Sequence, residues 1–140
     1  MEGLVARMKI EDIVPSDYKT RGSYTPAKKI DLGDSYLIFV SGVQAPKKDD
    51  SHEVITDDIA EQTKLVFEEI NGILKQADAT LDNVVKAVIY LTDMNDFDIV
   101  SPIRAEYFKN SMPVSTMVEV NGMTRKGAKI EIEVTAIKEK

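Results

Sequence analysis

The stretch Ala128-Lys129-Ile130-Glu131-Ile132-Glu133-Val134-Thr135-Ala136-Ile137 decides the fold. Side chains alternate along a strand, so Ile130, Ile132, Val134 and Ala136 share one face, and Glu131, Glu133 and Thr135 share the other. One face therefore needs an apolar cover, while the other holds two carboxylates side by side. Upstream, Val85 to Leu91 alternates likewise, with Val85, Ala87, Ile89 and Leu91 on one side, and Val114–Val120 reads as a further strand. Tyr36-Leu37-Ile38-Phe39-Val40 is β-branched and aromatic between Leu32-Gly33-Asp34-Ser35 and Ser41-Gly42, and reads as the second arm of a hairpin with Lys28–Asp31.

The cover comes from two helical segments. Over about 57–77, Ile59, Val66, Phe67, Ile70, Ile73, Leu74 and Ala77 form one apolar stripe; Thr56 suits the N-cap, and Asp57 and Asp58 the positive end of the dipole. Ser101-Pro102 reads as an N-cap followed by proline at the first helical position, with Ile103, Tyr107 and Phe108 as the buried face. Residues 1–23 are the least patterned, with Ile10, Ile13 and Val14 packing as a short turn before Pro15, and 46–53 is a polar loop. The order strand, strand, helix, strand, helix, strand, strand gives an α+β two-layer domain: a mixed β-sheet with two helices packed on one face. The second sheet face also carries aliphatics, Val118 and Val120 depending on register, so self-association is expected.

Composition sets the outer limits. A chain of 140 residues is a single-domain length, 1–140, able to bury roughly two-thirds of its unfolded surface. With 18 basic and 24 acidic side chains the net charge is −6, which argues against a nucleic-acid surface. Zero Cys removes thiolate chemistry and fits a cytoplasmic location. The longest aliphatic run, Tyr36 to Val40, is far short of the roughly 20 residues that span a bilayer, so no membrane partner is expected, and the N-terminus lacks a signal-peptide layout.

Several residues could carry chemistry. His52, in Asp49-Asp50-Ser51-His52-Glu53, reads as part of a solvated loop rather than a metal site or a relay. Asn121–Gly127 holds Arg125 and Lys126 and reads as a strand connection rather than an anion cradle; Lys28-Lys29 and Lys47-Lys48 are solvated pairs. Glu131 and Glu133 share one face, where a carboxylate at a partly enclosed sheet end positions water and moves protons; the alternative is two solvent-facing residues of an amphipathic strand. Tyr24, Tyr90 and Tyr107 fit packing as well as a site.

Taken together, certain segments resemble the YjgF/YER057c/UK114 family, also called the reactive intermediate deaminase (Rid) family. They are Phe39-Val40-Ser41-Gly42, Gln62-Thr63, Leu81–Lys86, Val88–Phe97, Glu106-Tyr107-Phe108 and Lys129–Glu133, covering about 22–138 in the family's order. The resemblance implies a chorismate-mutase-like fold, a homotrimer with a central barrel, and small-molecule clefts between subunits. It also implies hydrolysis of enamines and imines to a carbonyl compound and ammonia, with neither metal nor cofactor.

By resemblance, Glu131 positions the attacking water, and Tyr24 and the backbone around Ser41-Gly42 line the cleft. The family's carboxylate-binding Arg lies in a Pro-x-Arg-[Ser/Thr] motif; here the matching segment is Pro113-Val114-Ser115-Thr116, and Ser101 replaces a common Asn. Ser115 is short and neutral and cannot act as a bidentate cation. That departure turns the expectation from 2-imino acids toward either an altered imine substrate or a binding, regulatory trimer without chemistry. A ribonuclease or translation-inhibitor role is the poorest fit. Arg21, Arg104 and Arg125 are the candidates for a cation supplied from elsewhere.

Overall fold

The computed structural model describes residues 9–16, 18 and 22–140. Its elements are β1 (Ile10–Ile13), β2 (Ala27–Asp31), β3 (Ser35–Gln44), α1 (Ile59–Gln76), β4 (Val84–Leu91), α2 (Phe97–Tyr107), β5 (Val114–Glu119) and β6 (Ile130–Glu139). The strands form one six-stranded sheet in the order β1-β2-β3-β6-β4-β5. All neighbours are antiparallel except β4 and β5, whose parallel pairing is made possible by the α2 crossover. The sheet is mixed and both helices lie on one face, as the residue pattern implies. Among the described residues no helix is long and apolar enough to cross a membrane.

The covered face is the core. Ile38, Ala87, Ile89, Leu91, Ile130, Ile132 and Ala136 are essentially without solvent contact beneath Val66, Phe67, Ile70 and Leu74 of α1. Each of the Val, Leu, Ile and Phe side chains among them contributes about 1.5–3 kcal/mol on removal from water. The helices lock together through Phe67, whose ring stacks on Tyr107 at 4.6 Å and meets Phe108 edge-on at 5.1 Å. Tyr107 is thus a packing residue, its hydroxyl donating to Glu68 at 2.9 Å.

Several local expectations are corrected. Ile10, Ile13 and Val14 do not form a turn: Ile10–Ile13 is an edge strand on β2, and only Ile13 is buried. Asp58, not Thr56, caps α1, accepting from the backbone N–H of Ala60 at 2.8 Å and Glu61 at 3.1 Å. Thr56 instead accepts from the Asp58 N–H and donates to Glu61. Ser101 does not open α2. The helix begins at Phe97, Pro102 sits inside it, and fully buried Val100 ties its first turns to the core. The proline deprives the carbonyl of solvent-exposed Asp98 of its helical donor, and water can replace it there.

In β4 the inward residue is Val84, not Val85. The register shifts between Val84 and Lys86, leaving Val85 exposed at a bulge. Lys29 is not solvated: it is buried, with its amine 4.1 Å from the Tyr36 ring centre and 3.5 Å from Asp78. The β2–β3 hairpin is present, and its turn places Gly33 at φ +103°, where a side chain would be strained.

Candidate active site

β3 does not end at Ser41-Gly42. It continues to Gln44 through a register shift between Val40 and Val43, and this irregularity builds the site. Beyond it Gln44 stands opposite Glu131 on β6, and Tyr90 on β4 stands opposite Glu131 from the other side. Glu131 is therefore central to three strands on the face the helices leave bare. The Gln44 amide donates to Glu131 Oε1 at 2.8 Å and to Thr124 Oγ1 at 2.9 Å, and its carbonyl accepts the Arg125 backbone N–H at 3.1 Å. This buried amide fixes one carboxylate oxygen. The other lies against Gly42, where an added Cβ would come within 2.9 Å of Oε2 and 2.8 Å of Cδ. The glycine is required by that close approach, and among the described residues Oε2 accepts no hydrogen bond.

Two clefts meet at this carboxylate. One, of about 320 Å³, is lined by Tyr18, Tyr24, Pro26, Ser41, Gly42, Val43, Gln44, Glu69, Ile73, Thr124, Arg125 and Glu131. The other, of about 410 Å³, runs past Tyr90, Val120, Gly122 and Met123 and shares Gln44, Thr124 and Glu131. Ser41 Oγ donates to the Thr25 carbonyl at 2.7 Å, tying the segment that bears Tyr24 to the irregular part of β3. Burial, hydrogen bonding with Tyr24 and the charge of Glu69 push the Tyr18 hydroxyl up to about 12, so it enters the cleft as a protonated phenol. The Tyr90 hydroxyl donates to Glu133 Oε1, and that bond, burial and the two glutamates raise its pKa as well. Each glutamate thus has one oxygen held, Glu133 by Tyr90 and Glu131 by Gln44, but only Glu131 lines the two clefts.

The structure places Tyr24, Ser41, Gly42 and Glu131 along one cleft and sets Ser101 and Ser115 apart from it. Ser115 pairs with Ala87, three residues from Tyr90 along β4, and β4 separates it from β6. At about 3.3 Å per residue and 4.8 Å per strand, its Cα lies about 14 Å from that of Glu131. Of the candidate cations, Arg125 is committed to structure, its guanidinium donating to the carbonyls of Ala45 at 2.7 Å and Gln44 at 3.3 Å. Arg104 instead reaches Ser115 Oγ through Nη1 and Ser101 Oγ through Nη2, both at 3.4 Å. Arg21 lies outside the described residues. His52 is exposed in its loop, and 121–127 is a strand connection whose Thr124 and Arg125 reach the cleft.

Sequence reading missed Gln44, Thr124 and Tyr18. Gln44 lies beyond Ser41-Gly42 and just before Ala45-Pro46, where the strand pattern has already lapsed, and the other two arrive from segments without periodicity.

Comparison with known proteins finds relatives over most of the chain. The family model described as Endoribonuclease L-PSP matches residues 15–138. A RutC family protein of Pyrococcus abyssi is 41% identical over 121 residues, spanning 86% of this chain and 91% of its own. The human 2-iminobutanoate/2-iminopropanoate deaminase is 35% identical, over 89% of this chain and 88% of that one. The crystal structure of a YjgF/YER057c/UK114 family member from Mycobacterium tuberculosis superposes with a TM-score of 0.71 at 31% identity, covering 91% of this chain and 98% of that one. With a family model over most of its length and these relatives, the chain belongs to the YjgF/YER057c/UK114 family.

Proposed function

We propose that the protein binds a small imine or enamine in the cleft of Tyr24, Ser41, Gly42 and Glu131 and hydrolyses it to a carbonyl compound and ammonia. The observation that carries this reading is the asymmetry of Glu131: one oxygen is held by Gln44 at 2.8 Å while the other lies over Gly42 facing the cleft. A carboxylate fixed in that way takes a proton from water as the water oxygen bonds to the C=N carbon. It returns that proton to nitrogen to give the carbinolamine, then carries the hydroxyl proton to the same nitrogen as the C=O bond forms and the C–N bond breaks, and ammonia leaves. An enamine enters the same route after protonation at carbon. The name of the human relative, a deaminase of 2-imino acids, supports the substrate class.

The acting form in this reading is a homotrimer. The bare face exposes Phe39 (46%), Ile137 (43%) and Val118 (38%), an apolar surface that copies of the chain would cover. An RNA-directed role fits less well, because the cleft lining sets Glu69 and Glu131 against Arg125 alone.

The test is release of the 2-oxo acid from 2-iminobutyrate or 2-aminoacrylate formed in situ. Wild type accelerates it, and Glu131→Gln slows it by roughly 10²–10⁴-fold with an unchanged melting temperature. No acceleration by wild type would leave the cleft a binding site for a regulatory metabolite.

A further inference from the structure

We propose that Arg104 is the anion-binding residue of this protein, forming with Ser101 and Ser115 a site for the substrate's carboxylate. Ser101 and Arg104 lie three residues apart on one face of α2, and Ser115 comes to the same point from β5. The guanidinium spans the two hydroxyls at 3.4 Å on each side. It carries five N–H donors in a rigid planar fork, and the serine oxygens engage only part of them. Each serine accepts from the arginine and keeps its own O–H to donate. Among the described residues no carboxylate forms an ion pair with Arg104, in contrast to Lys28, Lys29, Lys48, Lys109 and Lys140. The result is a set of converging donors with a positive charge and no resident anion, which matches the planar, two-oxygen shape of a carboxylate.

The same geometry explains why both serines are small. A longer side chain at 101 or 115 would occupy the space of the guanidinium, and an arginine at 115 would place two cations in contact. The charge is delivered from the helix instead of the strand.

The inference rests on the hydrolytic reading for what it binds, and the 14 Å separation adds a constraint. Ser115 pairs with buried Ala87 on the covered side of the sheet, whereas Glu131 stands on the bare side, so a small imino acid does not bridge Arg104 and Glu131 of one chain. The site is then completed by two copies, one supplying Glu131 and the next supplying Arg104. Met112 (79% exposed) and Val114 (69% exposed) flank Ser115 and leave that edge open for such a contact.

The experiment compares a 2-imino acid with a carboxylate-free imine of similar size, using wild type, Arg104→Gln and Arg104→Gln/Ser115→Arg. Arg104→Gln is expected to lower kcat/KM roughly 10- to 100-fold for the imino acid and less than about threefold for the neutral imine. The double variant is expected to restore most of the loss. An equal loss on both substrates, or no loss, overturns the proposal while leaving hydrolysis by Glu131 intact. If wild type hydrolyses neither, calorimetry with 2-oxobutyrate decides. Binding that disappears in Arg104→Gln upholds the anion site without the chemistry, whereas unaltered binding, or none to wild type, overturns it.

Discussion

The two faces of β6 divide the molecule's tasks. Ile130, Ile132, Val134 and Ala136 are buried under the helices, whereas Glu131, Glu133, Thr135 and Ile137 alternate with them and stay partly or fully exposed. Both rows occupy the same backbone and the same register. The covered row is aliphatic throughout and fixes the sheet against α1 and α2. The bare row changes along its length from carboxylates beside the cleft to apolar surface toward the C-terminus. Because a one-residue slip would exchange the rows, the aliphatic row also sets where Glu131 stands. Stability on one side thereby positions chemistry on the other.

That division breaks most visibly by a matched pair of substitutions. Ile132→Ala opens a cavity beneath α1 and is expected to cost about 2–5 kcal/mol, read by urea denaturation. Phe39→Asp lies on the opposite face, close to half exposed. It is expected to leave a folded chain that sediments as a monomer and has lost hydrolysis. If Phe39→Asp instead unfolds the chain as severely as Ile132→Ala, the bare face is needed for folding itself and the separation of tasks fails.

A subtler break acts through the backbone of β3. Gly42→Ala introduces a methyl group 2.8 Å from Glu131 Cδ, and the glutamate side chain is the softer partner. The carboxylate moves away from Gln44 while the strand stays in place. Turnover is expected to fall roughly 10- to 100-fold, since displacements near 1 Å are felt on that scale. The melting temperature should barely change, and a thermal scan beside the rate assay separates the two effects.

How far this division could be read from sequence also differs between the faces. The covered face was legible nearly in full, because alternation in 130–136 and the stripe from Ile59 to Ala77 are patterns imposed by burial. Glu131 was legible as a member of the other row, but its partners were not. Gln44 acquires its role from a register shift, and Tyr18 and Thr124 arrive on irregular chain, where no period records which way a side chain points. Ser101-Pro102 misled for a related reason. It carries the local chemistry of a helix start, yet the core contact of Val100 moves the start to Phe97. The meeting of Arg104 with Ser115 follows from the α2 crossover laid over β5, a tertiary fact with no local signature.

The smallest expected effect concerns a polar group on the covered side. Burial first, then the bond to Glu68, push the Tyr107 hydroxyl up to about 12. A folded-state pKa above the unfolded value of about 10 means that the folded chain holds this proton more tightly. Its contribution is therefore complete below about pH 10 and is lost as pH rises toward 12. Tyr107→Phe keeps the ring that stacks on Phe67 and removes only the hydroxyl. At pH 7 its stability should lie within about 1 kcal/mol of wild type, with hydrolysis unchanged. Between pH 10 and 12, denaturation at each pH should give a flatter decline than in wild type. A change in turnover at pH 7 would show that the helix layer reaches the site through Tyr107, and would blur the boundary between the two faces.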